Sequence, residues 1–410
     1  MNPAVIILAA GMASRMGEVK ALLPLPLMPR GGLCSALRGL VMLYRAAGVQ
    51  NVVVVSGFHA GAVEGEAEAL GITVTRNPDP QQGMFSSVQA GVAALAQSGF
   101  GGYFFVQPVD VPLVRPLTLR ALRDAAMQDE ADRAAALAVS GKADPLPVLV
   151  PAFDGQEGHP PLVPMALAGR IMAHDGGNGL RGALQGASLR HVPVPDAMIL
   201  EDMDTPDDYA RLRVLALERP MLSPVEADFL LHLHGVPEKG LRHARAVGTV
   251  ACCLAEALAH AREAAGYDAG VDPRWALAGG LLHDICKGQP RHEAAAGQLL
   301  RQLDLPQMAR LVQDHRDLSL PCDEPVTERE LVYLADKYCY GGSFVPLQRR
   351  FGLKLEAYAQ DSQACEAILG RLGRAKELEE RIARETGRTP AHVAEKALVR
   401  NCGAMRVNAA

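Results

Sequence analysis

Short apolar runs alternate with amphipathic stretches through the first half of the chain. Residues 5–10 (VIILAA) form a continuous buried-type strand, residues 33–47 carry helical periodicity, and residues 52–56 are a second β-branched run. Residues 87–96 then predict a helix, 103–106 a strand, 116–127 a helix and 146–150 a further strand. Short apolar strands separated by helices predict an α/β domain on a mostly parallel sheet, with ligands bound beyond the carboxyl ends of the strands.

After Asp204 the pattern changes. Thr205-Pro206-Asp207-Asp208 supplies an N-cap, a proline at the first helical position and acid in the first turn, and Ser223-Pro224-Val225-Glu226 repeats this grammar as a capping box. From there strand signals nearly vanish. Val247, Val250, Leu254 and Leu258 recur at steps of three and four, the stripe of a buried helix. The expected division is an α/β domain over residues 1–218 and an all-α domain over 223–405, joined through 217–222.

Composition narrows the class. A chain of 410 residues that is 49% hydrophobic and 21% charged has the apolar mass for two cores and is neither disordered nor fibrous. Its 41 basic and 46 acidic residues leave a net charge of −5, with no bias towards nucleic acid or membrane surfaces. Eight cysteines without a C-x-x-C pair point to reduced thiols and a cytoplasmic setting. The opening MNPAVIILAA lacks a basic flank and breaks at Gly11, so neither a signal peptide nor a membrane span is expected.

The strand at 5–10 runs straight into Gly11-Met12-Ala13-Ser14-Arg15-Met16-Gly17-Glu18-Val19-Lys20. Glycines at 11 and 17 let the backbone turn sharply and approach a ligand closely. Backbone N–H groups there can cradle phosphate, with Arg15 and Lys20 adding positive charge. The spacing is neither that of a P-loop nor that of a dinucleotide fingerprint. Taken alone, these residues also suit a tight βα turn with two solvated cations.

LAAGMASRMGEVKALLPL resembles the opening signature of the nucleotidyltransferases that activate the molybdenum cofactor, the molybdenum cofactor cytidylyltransferases above all. NPDPQQGMFSSVQAG (77–91), VQPVDVPLV (106–114), FDGQEGHP (153–160), DGGNGLRGAL (175–184) and VPVPDAMILEDMDTPDDY (192–209) follow in the family's order. The resemblance implies a Rossmann-like nucleotidyltransferase fold, a magnesium nucleoside triphosphate and a phosphate-bearing acceptor. An ionised acceptor phosphate would attack the α-phosphorus as pyrophosphate leaves in line. Positioning and charge neutralisation then matter more than a strong base.

On this resemblance Asp110 and Asp204 are the magnesium ligands, and Arg15 and Lys20 neutralise the triphosphate. Ala9, Ala10, Gly11, Ser14 and Gly17 form the nucleotide loop. Gly83, Ser86 and Ser87 contact nucleotide or ribose, and Gly158-His159-Pro160 helps form the acceptor pocket, with His159 either part of it or a structural loop histidine. Ala9-Ala10 is similar to the cytidylyl branch, whereas the guanylyl branch has glycine at the second position. A methyl there narrows the base pocket towards a pyrimidine, hence CTP. Two departures touch this pattern: Asn178 stands where many relatives carry arginine, and PLMPRGG (26–32) replaces the usual glycine-lysine-proline turn.

Eight of the twelve histidines follow residue 223. Among them run His243, the doublet His283-Asp284, His292 and His315, completed by Asp336. Imidazoles and carboxylates on separate helices make a site for zinc, iron or manganese. The doublet lies in LAGGLLHDICKG, read as an apolar helix ended by Gly288 and Pro290, with Lys287 on the same face as His283. There Lys287 can bind a substrate phosphate or protonate a leaving group. The series resembles the HD-domain metal-dependent phosphohydrolases. His243, His283, Asp284 and Asp336 match that family's basic ligand set, and His292 and His315 the extra ligands of its dinuclear members. LADKY (334–338) with HDICK is most similar to the HD-type dinucleoside tetraphosphatases.

Together the resemblances imply CMP transfer from CTP to a molybdopterin-type cofactor, fused to an HD phosphohydrolase. The dinucleotide product would serve a molybdoenzyme of the xanthine dehydrogenase type. A different acceptor, such as a sugar phosphate, and a cofactor-delivery protein with a ligand-sensing HD domain are the alternatives.

Overall fold

The computed structural model describes residues 2–12, 16–28, 31–313, 317–318 and 324–404. The chain divides into two compact units, Met1–Arg219 and Pro220–Ala410. No helix among the described residues is long and apolar enough to cross a membrane.

In the first unit β1 (Ala4–Leu8) leads to a small ribbon of β2 (Pro24–Leu25) and β3 (Cys34–Ser35). Then come α1 (Ala36–Ala46), β4 (Asn51–Ser56), α2 (Ala60–Ala69), β5 (Thr73–Arg76), α3 (Met84–Gln97), β6 (Tyr103–Pro108) and α4 (Pro116–Ser140). The unit closes with β7 (Val148–Phe153), β8 (Gln156–Glu157), β9 (Leu162–Pro164), α5 (Ala168–Ala173), α6 (Gly179–Ala183), β10 (Leu189–Pro193) and α7 (Pro206–Glu218).

The main sheet has the order β10-β7-β9-β6-β1-β4-β5, with β8 beside β7. Pairing is parallel except around β8 and β9, so the fold is a mostly parallel α/β sheet. β1 is central, with Ile6 opposite Val53 on one side and Val106 on the other. All five β1 residues are buried because helices cover both faces, which is why the strand reads as an unbroken apolar run. Phe104 faces the α3 side chains Phe85, Val88 and Val92. Its neighbour Phe105 points to the other face, with its ring 5.4 Å from that of Tyr44 on α1. The chain leaves β1 towards β4 and returns to β6 on the other side. That reversal is the switch point where an open α/β sheet forms its ligand crevice.

Element boundaries differ from the sequence reading for local reasons. α1 starts at Ala36 rather than 33 because Ser35 Oγ caps it, accepting Arg38 N–H at 3.1 Å. α4 runs on to Ser140, but its last buried residue is Ala126, so the apolar signal ends long before the helix does. α2 (AGAVEGEAEA) buries only Val63 and Ala67, and β5 buries nothing fully, which left both silent as patterns.

The second unit is helical: α8 (Pro224–Leu233), α9 (Glu238–Ala264), α10 (Pro273–Leu282), α11 (His292–Gln302), α12 (Pro306–Val312) and α13 (Glu328–Tyr338). A two-residue hairpin of β11 (Cys339–Tyr340) and β12 (Ser343–Phe344) precedes α14 (Leu347–Ala357), α15 (Ser362–Thr386) and α16 (Pro390–Ala404). Both anticipated caps form, Thr205 with Asp208 and Ser223 with Glu226 as reciprocal boxes. Val247, Val250, Leu254 and Leu258 are buried along α9. α9 and α10 meet backbone to backbone. A β-carbon built on Gly280 would lie 2.5 Å from Gly248 Cα and 2.7 Å from Gly248 N. α13 is buried from Leu331 through Tyr338, the signature of a helix inside a core. Asp336 and Lys337 are therefore polar groups placed where apolar ones would be cheaper.

Candidate functional site

The carboxyl ends of β1, β4 and β6 open into a cavity of about 690 Å³. Its floor is held by backbone bonds between strand ends: Ala9 N–H to Val55 O at 2.9 Å and Val109 N–H to Leu8 O at 3.1 Å. Gly57 follows β4 so close to β1 that a β-carbon there would lie 2.7 Å from Ala10 O. Ala9, Ala10 and Gly11 line the cavity, as do Gly83 and Ser87. Gly11 has no left-handed φ and an added β-carbon would meet no protein atom, so its place in the wall, not a sharp turn, is what the structure shows. The turn falls at Gly17, at φ 73°, outside the cavity lining. Ser86 also lies outside that lining. Its Oγ accepts from Asn77 Nδ2 at 2.8 Å and sits 2.8 Å from Gly83 O. Ser14 and Arg15 lie outside the described residues.

Two carboxylates and an ammonium converge at the cavity. Asp110 follows β6, and Asp204 precedes the α7 cap. The two loops are tied by Met203 N–H donating to Asp110 O at 3.0 Å. Lys20 Nζ lies between the carboxylates, 3.2 Å from Asp110 Oδ2 and 2.5 Å from Asp204 Oδ1. Partial burial works to lower the Lys20 pKa, but the bonds and charges of Asp204 and Asp110 outweigh it, and the net shift is upward. The ammonium is thus firmly protonated. Burial raises the Asp202 pKa, reinforced by repulsion from Asp204 and Asp110. Three acidic groups around one ammonium leave an excess of negative charge, and the hard oxygen donors Asp110 and Asp204 already share a cation; both facts fit magnesium.

His159 is not among the residues lining this cavity. Its backbone N–H donates to Ile199 O at 3.0 Å, and the peptide to Pro160 is cis. The packing around its ring lowers its pKa, with Asp110 pulling the other way, so the imidazole is neutral near pH 7. Sequence reasoning gave no role to Phe58, which lies in no quoted motif, or to Pro80 and Gln81, which lie within 77–91 but were not singled out there; all three are in the cavity wall.

In the second unit His243 on α9, His283 after α10 and Asp336 on α13 offer one ligand atom each, all within 4.8 Å of one another. Asp284 joins them, its Oδ2 lying 3.7 Å from His243 Nε2 and 3.5 Å from His283 Nε2. His243 Nδ1 sits 3.2 Å from Gly341 O, and His283 Nδ1 sits 2.7 Å from Gly280 O. A carbonyl only accepts, so each Nδ1 carries the proton and each Nε2 presents its lone pair to the cluster. This donor set of two imidazole nitrogens and carboxylate oxygens fits zinc, iron or manganese. Burial alone would raise the Asp336 pKa, but the cations Lys337 and Arg350 hold it well below the ordinary range. His292 opens α11 with Nε2 3.1 Å from Asp284 Oδ1, which places Asp284 between the cluster and His292. His315 lies outside the described residues.

One expectation here is corrected. The helix ends at Leu282 with His283 as its cap, not at Gly288. The Gly280 carbonyl takes the His283 side chain, and the chain continues through turn bonds such as Lys287 N–H to Asp284 O at 2.8 Å. Lys287 therefore does not share a helical face with His283. It pairs with the Asp284 carboxylate instead. A cavity of about 490 Å³ adjoins the cluster, walled in part by Lys337, Arg350, Lys354 and Arg371, none of which the sequence reading singled out. Lys337 was adjacent to the chosen Asp336, and Arg350 and Lys354 are four apart on one helix, but neither spacing is a signal without the fold.

The first unit thus pairs a strand-end crevice with two carboxylates, and the helical second unit carries a His/Asp cluster that could hold a metal ion. Residues 5–194 match the MobA-like NTP transferase domain, and residues 240–341 match the HD domain. The chain thus carries both domains in one polypeptide. Over 205 residues it is 27% identical to the molybdenum cofactor cytidylyltransferase of Escherichia coli (strain K12), covering 50% of this chain and 92% of that protein. Among solved structures it is similar to Rv0371c from Mycobacterium tuberculosis H37Rv (TM-score 0.41, 23% identity, 52% of this chain and 99% of that one). It is also similar to a nucleotidyl transferase from Methanothermobacter thermautotroptrophicus (TM-score 0.41, 24% identity, 53% of this chain and 98% of that one).

Proposed function

We propose that the first domain transfers CMP from CTP to the phosphate of a molybdopterin-type cofactor and releases pyrophosphate. The observation that carries the reading is Lys20 Nζ held between Asp110 and Asp204 at the strand-end cavity. Asp110 and Asp204 would hold magnesium, which neutralises the triphosphate and the charge that develops on the leaving pyrophosphate. Lys20, firmly protonated, then offers its charge to phosphate oxygens, as would Arg15. Gly11 and Gly83 in the wall would leave room for the nucleotide, and the Ala10 methyl would narrow the base pocket towards a pyrimidine. His159, kept neutral by burial with Asp110 opposing, would hydrogen-bond the acceptor rather than carry charge. The E. coli relative, a cytidylyltransferase by name, supports the same choice.

The second domain reads as a metal-dependent phosphohydrolase. His243, His283, Asp284 and Asp336 would hold the first ion, with His292 and His315 serving a second position. An ion held there would supply Lewis-acid polarisation of a phosphate ester and a more acidic water. Lys287, salt-bridged to Asp284, adds positive charge beside the scissile group. The dinucleotide cofactor would pass to a molybdoenzyme of the xanthine dehydrogenase type in the cytoplasm. The test is to incubate the full chain with magnesium, molybdopterin and each nucleoside triphosphate in turn, and to identify products by mass spectrometry. A cytidine dinucleotide of molybdopterin with pyrophosphate is the expected result. Transfer to sugar phosphates instead would reassign the acceptor.

A further inference from the structure

The cavity beside the His/Asp cluster is far more cationic than one phosphate requires. Among the described residues its wall carries five side-chain cations, Lys287, Lys337, Arg350, Lys354 and Arg371, against the two carboxylates Asp284 and Asp336. Three of the five cations are already engaged: Lys287 with Asp284, Lys337 with Asp336 at 2.8 Å, and Arg350 with Asp336 at 3.6 Å. No carboxylate among the described residues lies within ion-pair distance of Lys354 or Arg371. Lys354 Nζ sits instead 5.7 Å from the centre of the Phe351 ring. Burial pushes its pKa down to about 8, with Lys337 and Arg350 repelling it further and Asp336 only partly opposing. Like charges gathered without counter-ions in a half-closed cavity cost stability, and such a cost is sustained where an anion arrives.

The two cations come from outside the matched HD segment, which ends at residue 341. Arg350 and Lys354 lie four apart on α14, and Arg371 lies on α15, whose Ala364 and Ile368 line the same wall at helical spacing. A single phosphate dianion at the cluster would leave this cavity positive even before a divalent ion adds its own charge. We propose that α14 and α15 form a second anion site, in which Lys354 and Arg371 bind the distal phosphates of a substrate with at least two phosphate groups in line. The assignment rests on reading the cluster as the phosphohydrolase centre, and it selects chains of phosphates over simple monoesters.

Isothermal calorimetry on the full-length, manganese-loaded protein would compare inorganic phosphate with tripolyphosphate, both presented with excess magnesium. Tripolyphosphate is expected to bind at least about tenfold more tightly. The double variant Lys354→Ala/Arg371→Ala should collapse that ratio towards unity. Arg349→Ala, an equal loss of charge on α14 outside the cavity lining, should preserve it. Equal affinity for the two anions in the wild type, or a ratio that survives the double variant, would overturn the proposal. Release of orthophosphate from magnesium tripolyphosphate, measured alongside, separates this result from the hydrolase reading. Chain-length preference without hydrolysis keeps the anion site and removes the hydrolase. Hydrolysis without preference does the reverse.

Discussion

Replacing Gly280 with alanine would test how the α9–α10 contact sets the metal cluster. The new methyl would fall 2.5 Å from Gly248 Cα, 2.7 Å from Gly248 N and 3.0 Å from the Val247 carbonyl carbon. All three are backbone atoms, so no rotamer change can relieve the contact and the helices must separate. Overpacking of this kind costs about 1–3 kcal/mol, and an unyielding neighbour argues for the upper half of that range. Alanine in a helix returns about 1 kcal/mol over glycine, leaving a net loss of roughly 1–2 kcal/mol. For a unit of this size that lowers the melting temperature by roughly 2–8 °C. The same separation carries His243 on α9 away from His283, whose Nδ1 is anchored on the Gly280 carbonyl. Gly373→Ala on α15 is the matched control, because its methyl meets nothing within 4 Å. It should stabilise by about 0.5–1 kcal/mol. Melting followed by emission of Trp275, the one tryptophan of the chain, and manganese content by elemental analysis give the two readouts. A Gly280→Ala protein that melts at or above the wild-type temperature with full manganese would refute the reasoning.

Asp110→Asn and Asp204→Asn should each cut nucleotidyl transfer by about 10²-fold or more without unfolding the first domain; near-normal turnover in both would remove the proposed magnesium site. With CTP and GTP in equal competition, cytidine product should dominate, and mainly guanosine product would reassign the base. His283→Ala/Asp284→Ala should lose manganese and melt earlier than the wild type, because the remaining ligands of a metal-coupled site stay uncompensated; unchanged metal content would make the doublet structural. Tripolyphosphate binding should weaken between pH 7 and 9 as Lys354, titrating at about 8 under burial and its neighbours Lys337, Arg350 and Arg371, gives up its proton. Over the same pH range and up to about 10.4 the unfolded chain holds more protons at this residue than the folded one, so anion-free stability should rise slightly with pH. Affinity that is flat across pH 8 would exclude Lys354 from the site.

Much of the fold could be read from the chain because its driving pattern is apolar burial. The strand at 5–10, the stripe at Val247, Val250, Leu254 and Leu258, and the boxes at Thr205 and Ser223 each state their own structure locally. What escaped reading has a common cause. The second half of α4 and nearly all of α2 bury little, so they carry no periodicity, while β5 is a sheet-edge strand. The end of α10 at His283 depends on a side chain competing for the Gly280 carbonyl, which no propensity records. At the sites, residues within motifs were found, and residues brought in by tertiary packing were not. Lys20 was legible as a cation, but its seat between two carboxylates 90 and 184 positions away was not. Lys354 and Arg371 had no local mark at all.

The close passage of β1 against Gly57 bears on how base preference can evolve. A β-carbon at 57 would meet not only the Ala10 methyl at 2.6 Å but also the Ala10 carbonyl oxygen at 2.7 Å and Cα at 2.9 Å. Two of those three obstacles are main chain, present whatever side chain stands at position 10. Glycine at 57 is therefore fixed by the path of the backbone and not by its neighbour's identity. Position 10 in turn can exchange its methyl for a hydrogen without asking anything of position 57. If position 10 helps select the base as proposed, that choice is mutationally independent of the glycine packed against it.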